Sequence, residues 1–375
     1  SLAALAGSAA ALAGCSEPEP APKTKPTPGA TTGGQPSAPG SDRLVWAQWP
    51  DYIDRRGKRR PTLEAFTAET GIEVKYREII NDNAEYIDKI GADLAAKRPV
   101  GADLITLTNW MAARLVLAEQ VQPLGELSNG SNVISALAHP DWDPLLTHSM
   151  PWQAGLTGIA YDARRVDRAI GSIDELFTRS DLAGRVALLT EFADTVGMTM
   201  LASGTDPSAG LLTEVEAAIG RLEQVVADNR VVGFYGNNVM GALRSGRASA
   251  ALAWSGDVLQ AQASNPYLKF VVPEEGLMVW YDSLLVPAAS TAVGAATQLI
   301  DYYYRPEVAA KVAAYDQYIC PVTGAQDELA KTDPDLAANP LIFPDAAILD
   351  RSYQFPTLPA ADDNRLRESF TALSG

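Results

Sequence analysis

The chain has 375 residues, a formal net charge of −16, two cysteines and two histidines. That charge argues against nucleic acids or an anionic surface as partners; it allows either plain solubility or a cationic ligand, because a protein's summed field can concentrate opposite charge in a cleft. Two cysteines, Cys15 and Cys320, allow at most one bridge and no disulfide framework. His139 and His148 stand in a Pro- and Asp-rich stretch. There is no HExxH, Walker A, G-x-S-x-G or Cys/His metal spacing, so neither an enzyme nor a metal or cofactor site is expected.

In chain order, an Ala-rich run from Leu2 ends at Leu12-Ala13-Gly14-Cys15. It falls short of the roughly 20 apolar residues that a spanning helix needs and reads as the end of a signal peptide over 1–14. The four residues resemble the lipobox of bacterial lipoproteins, which implies cleavage before Cys15 and lipidation of that cysteine. The alternative is an exported or tagged chain in which Cys15 is an ordinary thiol. Residues 16–42 are rich in Pro, Gly, Ser and Thr with almost no apolar side chains. Such a segment cannot offset its ordering entropy and reads, with Cys15, as a disordered tether over 15–42.

The remaining residues exceed the size at which one core keeps growing, so two lobes are expected. Leu44–Trp49 alternates as a strand, and Pro61–Thr70 reads as a helix closed by Gly71. Ile72–Tyr76 and Asp103–Leu107 are strands, the second leading into a helix from about Trp110 to Glu119. Val186–Leu189 leads into another helix, and Leu212–Asn229 carries helical spacing at Val215, Ile219, Leu222 and Val226. Ala248–Trp254, Phe270–Val272 and Ser283–Val286 are strand-like. Strands alternating with helices predict an α/β fold with largely parallel sheets covered on both faces.

Ligands of such sheets bind beyond the strands' carboxyl ends. The residues there are Trp49, Asp51 and Tyr52; Thr108, Asn109 and Trp110; Glu191 and Asp194; Trp254 and Asp257; with Trp280 and Asp282 flanking the last strand. Rings interleaved with carboxylates suit a cation. Singly, each residue has an ordinary structural explanation, such as a core tryptophan or an acid at a helix start; their clustering at strand ends favours a site.

Several segments carry a family resemblance: Trp49-Pro50-Asp51-Tyr52, Thr62 through Val74, Asp103-Leu104-Ile105, Ala253-Trp254-Ser255-Gly256, Pro273-Glu274-Glu275-Gly276, Trp280 through Pro287, and Tyr318-Ile319-Cys320-Pro321. In this order the chain resembles the periplasmic spermidine/putrescine-binding proteins of ABC importers. The resemblance implies a two-lobed type II periplasmic-binding-protein fold with a ligand cleft between lobes. It also implies chain crossings near residues 155, 281 and 325, with lobe 1 at 43–155 plus 282–325 and lobe 2 at 156–281 plus 326–375. Carried over residue by residue, Trp49, Tyr52, Trp110 and Tyr318 match aromatic pocket residues, and Asp51 stands at an acidic position. Thr108 matches a small hydroxyl residue, Trp254 and Trp280 match stacking tryptophans, Asp282 matches the amine-binding carboxylate, and Gln354 matches a polar contact. The chain departs from the pattern at Thr190-Glu191-Phe192-Ala193-Asp194-Thr195, where two expected acids fall on Phe192 and Thr195. Glu191 and Asp194 are each displaced by one, which turns a helical side chain by roughly 100°.

The implied protein is a monomeric, non-enzymatic receptor that captures a polyamine or similar small cation and delivers it to ABC permease transmembrane subunits. It would stand on the extracytoplasmic face of the bacterial cell membrane, held there only through the lipid anchor, with no cofactor and no nucleic acid. The alternatives are a receptor for a sugar or other small solute on the same fold, or a non-transport sensor lipoprotein.

Overall fold

The computed structural model describes residues 41–374; Cys15 and most of the tether read from the sequence lie outside them. The strands are β1 (Arg43–Gln48), β2 (Glu73–Glu78), β3 (Leu104–Thr108), β4 (Val121–Gln122), β5 (Ser149–Asp162), β6 (Val186–Leu189), β7 (Val231–Tyr235), β8 (Ala250–Trp254), β9 (Leu268–Val271), β10 (Leu277–Pro287) and β11 (Ser352–Tyr353). They run in the order β2-β1-β3-β10-β5-β8-β6-β7, with β4 and β11 on β10 and β9 on β5.

Each end of this sheet is parallel: β1 pairs β2 and β3, and β6 pairs β7 and β8. The middle is not. β10 runs antiparallel to β3 and β5, and β5 antiparallel to β8 and β9. The largely parallel sheet expected from the alternation of elements is therefore corrected to a mixed one. Two long central strands cause the difference. All 14 residues of β5 are buried, yet Pro151, Gly155 and Gly158 interrupt the side-chain pattern that marks a strand. β10 begins six residues before the Ser283–Val286 run that marks its centre. Asp282–Leu285 of β10 pair with β3, while Met278–Tyr281 pair with Thr157–Ala154 of β5. Thr157–Tyr161 of β5 pair with β8. These strands thus run from one parallel end to the other and join the two lobes.

Local signals elsewhere act as their chemistry dictates. Pro61 opens the helix Pro61–Thr70, and Gly71, at φ 75°, donates its amide to Thr67 O to close it; that left-handed conformation is open to glycine at little cost. The first lobe's core centres on Trp46, which meets Tyr76 and Trp152 edge-on at 5.2 and 5.0 Å. In the second lobe Val186–Leu189 are wholly buried among Val196, Leu222 and Val239. Among the described residues no helix is long and apolar enough to cross a membrane.

Because Leu188 is fully buried at the centre of β6, Leu188→Ala should cost about 2–5 kcal/mol in urea unfolding. A loss under about 1 kcal/mol would show that the lobe collapses around the gap instead of resisting it.

Candidate functional site

The carboxyl ends of β1, β3, β6 and β8 converge on one cavity of about 740 Å³, counting its open mouth. Every site residue read from the sequence lines it except Asp51. Asp51 is half-exposed, sits at φ 55°, and gives its carboxylate to Arg55 at 2.8 Å and the Tyr315 hydroxyl at 3.3 Å. Trp49 and Tyr52 thus line the cavity, whereas Asp51, between them in the turn after β1, is engaged in an ion pair beside it.

β10 sets the site's charged centre. Trp280 and Asp282 are two residues apart on a strand and share a face, while Tyr281 packs into a separate cluster with Ala154, Leu156 and Ile319. The Tyr52 hydroxyl donates to Asp282 Oδ2 at 2.8 Å. Asp282 Oδ1 is buried without a hydrogen-bond partner among the described residues. Thr108 stands opposite Asp282 across the β3–β10 pairing, and its hydroxyl accepts the Asn83 amide at 2.8 Å. Burial pushes the Asp282 carboxyl up to about 7, against the lowering effect of the Tyr52 and Thr108 hydroxyls.

The tryptophans are fixed by their indole N–H groups. Trp254 Nε1 donates to Asp194 Oδ2 at 2.9 Å, and Trp280 Nε1 to Thr157 Oγ1 at 3.1 Å. The Thr157 hydroxyl in turn donates to Asp194 Oδ1 at 2.8 Å. One carboxylate therefore orients both rings, which lie 6.1 Å apart at 73°. Trp49 Nε1 donates to Thr106 O at 3.1 Å. Two glycines make room: a Cβ on Gly155 would stand 2.3 Å from the Trp280 ring, and one on Gly256 would stand 2.6 Å from the Tyr318 ring.

Tyr318 meets Tyr52 edge-on at 5.3 Å and donates its hydroxyl to Asp257 Oδ1 at 2.9 Å. Glu191, just beyond β6, accepts from the Asn83 backbone and side-chain amides at 3.2 and 2.7 Å. Asn83 Oδ1 accepts the Thr108 amide at 3.0 Å, and the Thr190 hydroxyl donates to Asp82 Oδ2 at 2.8 Å. The bonds to Glu191 and from Thr190 tie the lobes together across the cleft, and the Thr108 amide steadies Asn83 within the first lobe. Gln354 lies at the cavity's edge and is exposed.

Glu191, Asp194, Asp257 and Asp282 line the cavity, and no Lys, Arg or His does. Burial raises all four carboxyls: Asp194 and Asp257 to about 6 each, offset by their indole and hydroxyl donors, and Glu191 further pushed by Asp82 and Asp194. Buried acids with too few donors lower their free energy by taking up a proton or a cation. No three His, Cys, Asp or Glu among the described residues converge to hold a metal ion.

The displaced acids prove to have different tasks. Phe192 turns into the second lobe against Phe355 and Phe370, at 5.5 and 5.7 Å, and the Thr195 hydroxyl donates to Leu189 O at 2.7 Å. Asp194 and Asp257 join the lining although neither is carried over by the family pattern. Asp257, three residues past Trp254 at the start of a helix, shares that ring's side, a spacing readable in the sequence. Asn237, which also lines the cavity, and Asn83, which bonds to Glu191 and Thr108 behind it, gave no such signal.

The chain belongs to the bacterial extracellular solute-binding proteins, whose family model matches residues 62–344. The spermidine/putrescine-binding periplasmic protein of Escherichia coli (strain K12) is 26% identical over 309 residues, 82% of this chain and 84% of that one. A putative spermidine/putrescine ABC transporter protein from Listeria monocytogenes superposes with a TM-score of 0.76 at 22% identity, over 89% of this chain and 99% of the other. A lipoprotein of Treponema pallidum does so with a TM-score of 0.73 at 16% identity, over 88% and 99%. The fold is the two-lobed periplasmic-binding-protein fold.

Gly155→Ala should drive the Trp280 ring out of the wall and shift the intrinsic tryptophan emission; an unchanged spectrum would mean the ring accommodates a Cβ. The raised carboxyls also set a pH dependence. They hold protons that the unfolded chain has lost, so their stabilising contribution is complete below about pH 4 and disappears as pH rises through about 6–8. The ligand-free protein should melt lower at pH 8 than at pH 6, and Asp282→Asn should flatten that difference; equal slopes would remove Asp282 from the account.

Proposed function

We propose that this chain is the substrate-binding subunit of an ABC importer and captures a polyamine-type cation. The carrying observation is Asp282: a buried carboxylate with one oxygen unpartnered, in a cavity walled by Trp49, Trp110, Trp254 and Trp280 and lined by acids alone among the charged residues. A protonated amine supplies the missing donor, and ring faces suit both its charge and a polymethylene chain. The names of the Escherichia coli and Listeria relatives support the same class of ligand.

The action is non-covalent. The lobes swing about β5 and β10, and the bonds from Asp82 and Asn83 to Thr190 and Glu191 close over the ligand. The closed form is recognised by a permease. A lipid-anchored, extracytoplasmic location through Cys15 belongs to this reading, and the Treponema relative is itself described as a lipoprotein.

Titration calorimetry with putrescine, spermidine and spermine, beside neutral sugars, tests the proposal. Asp282→Asn should weaken polyamine binding by about 10–100-fold, the worth of a charge-assisted hydrogen bond. Response to a sugar with silence toward every amine would overturn the ligand while leaving the fold intact. Binding should also strengthen from pH 6 to pH 8, because a cation favours the ionised form of a carboxyl that titrates near 7. Near pH 6 it should release a proton, visible as heats that depend on the buffer's ionisation enthalpy; buffer-independent heats would show that Asp282 is already ionised.

A further inference from the structure

Three of the cavity's tryptophans hold their indoles by hydrogen bonds; the fourth does not. Trp110 Nε1 is buried with no partner among the described residues. The ring of Trp110 is held by a stack instead. The Arg367 guanidinium lies 3.5 Å from the Trp110 ring centroid and 4.6 Å from that of Phe192, while Arg367 itself does not line the cavity.

The two rings belong to different lobes. Trp110 sits on the helix Asn109–Leu117, which follows β3. Arg367 comes from the C-terminal helix Ala360–Ser374, which packs on the helix Leu212–Ala227 and plants Phe370 against Phe192 and Phe234 in the second lobe. Arg367 Nε donates to both oxygens of Asp363 at 2.9 Å. One turn beyond Trp110, Arg114 reaches the same Asp363 at 3.4 Å and Asn364 at 3.1 Å. The C-terminal helix thus grips the first lobe at two successive turns of one helix, beside the ligand wall.

We propose that Arg367 is a positioning residue that holds Trp110 against the ligand and, with Asp363 and Arg114, clasps the two lobes in the closed state. The proposal deepens the polyamine reading and rests on it for the ligand. A planar guanidinium suits the task, because it stacks flat on a ring while its fork engages a carboxylate. Burial that lowers the arginine's pKa is countered by Asp363, so the cation stays charged where water is scarce and its attraction to a ring is strongest. Phe192 acquires a purpose here: at a position where an acid would pair with Arg367, a ring completes the stack.

Removing Arg367 alone would leave the buried Asp363 with only its long 3.4 Å contact to Arg114, so the main variant is Arg367→Met with Asp363→Leu, which removes both charges and keeps apolar volume. Stopped-flow tryptophan fluorescence with putrescine and spermidine should show dissociation faster by about 10–100-fold, with association changed far less. Melting of the ligand-free variant should stay near that of the unaltered protein, and adding Trp110→Leu should cost little more. Unchanged dissociation, or fully additive losses, would overturn the proposal. Single-molecule energy transfer between dyes on the outer faces of the lobes gives a readout that needs no ligand. The variant should populate open lobe separations more, and an identical distribution would overturn the clasp. If the unaltered protein binds no polyamine, the ligand reading fails, and the energy-transfer result still decides whether Arg367 closes the lobes.

Discussion

The structure depends on a shortage of positive charge inside it. Four carboxyls are buried around one cavity, and the chain brings no cation of its own to its lining. Left ionised in that setting, each would carry a desolvation cost of several kcal/mol. Indole and hydroxyl donors offset part of the cost at Asp194, Asp257 and Asp282, and Asn83 offsets part at Glu191. What remains uncompensated is one oxygen of Asp282. A site built this way has its preference for a cation stored in it before any ligand arrives, and its orienting groups are in place before binding.

The donors that quiet these acids also shape the walls, so charge and shape are one arrangement. Asp194 aligns Trp254 directly and Trp280 through Thr157. Tyr52 and Tyr318 carry Asp282 and Asp257 on their hydroxyls while their rings meet edge-on. Neutralising Asp194, Asp257 or Asp282 therefore disturbs a ring as well as a charge. Gly155 and Gly256 sit beneath Trp280 and Tyr318 for the same reason: large rings can lie flat over a strand and a helix start only where no Cβ intervenes.

Much of this was legible in the sequence, and the losses have physical causes. Strands such as Leu44–Trp49 and Val186–Leu189, and the helix bounded by Pro61 and Gly71, announce themselves through local pattern and punctuation. Residues immediately beyond strands fell at the cavity because parallel strands end there together. β5 stayed hidden because the glycines that admit Trp280 and Phe270 remove the side chains that mark a strand. The antiparallel middle followed from it, since strand direction is settled by long-range pairing that no local window contains. Asp51 stands apart from the lining because the turn after β1, at φ 55°, breaks the alternation of the strand. Arg367, Asn83 and Asn237 reach the site or its backing from far along the chain, with no periodicity to betray them.

The one-residue displacement around Glu191 shows how a binding fold redistributes its acids. At the first turn of the helix Phe192–Ala202, a step of one position moves a side chain from the cavity to the lobe's interior. The ring packs in that interior against Phe355, Phe370 and the Arg367 guanidinium, whereas a carboxylate there would carry a desolvation cost even when paired. Glu191, just before the helix, is close enough to the opposite lobe to accept two amides of Asn83, so its charge is engaged in joining the lobes. Asp194 is engaged in orienting tryptophans. Neither acid is thereby barred from a ligand, since each carboxylate oxygen has lone pairs to spare. On the proposed reading each would meet a ligand's charge while already bonded to the groups that shape the site or join the lobes. A charged ligand and lobe closure would then be coupled through the same atoms, as a receptor needs if only its occupied form is to be recognised.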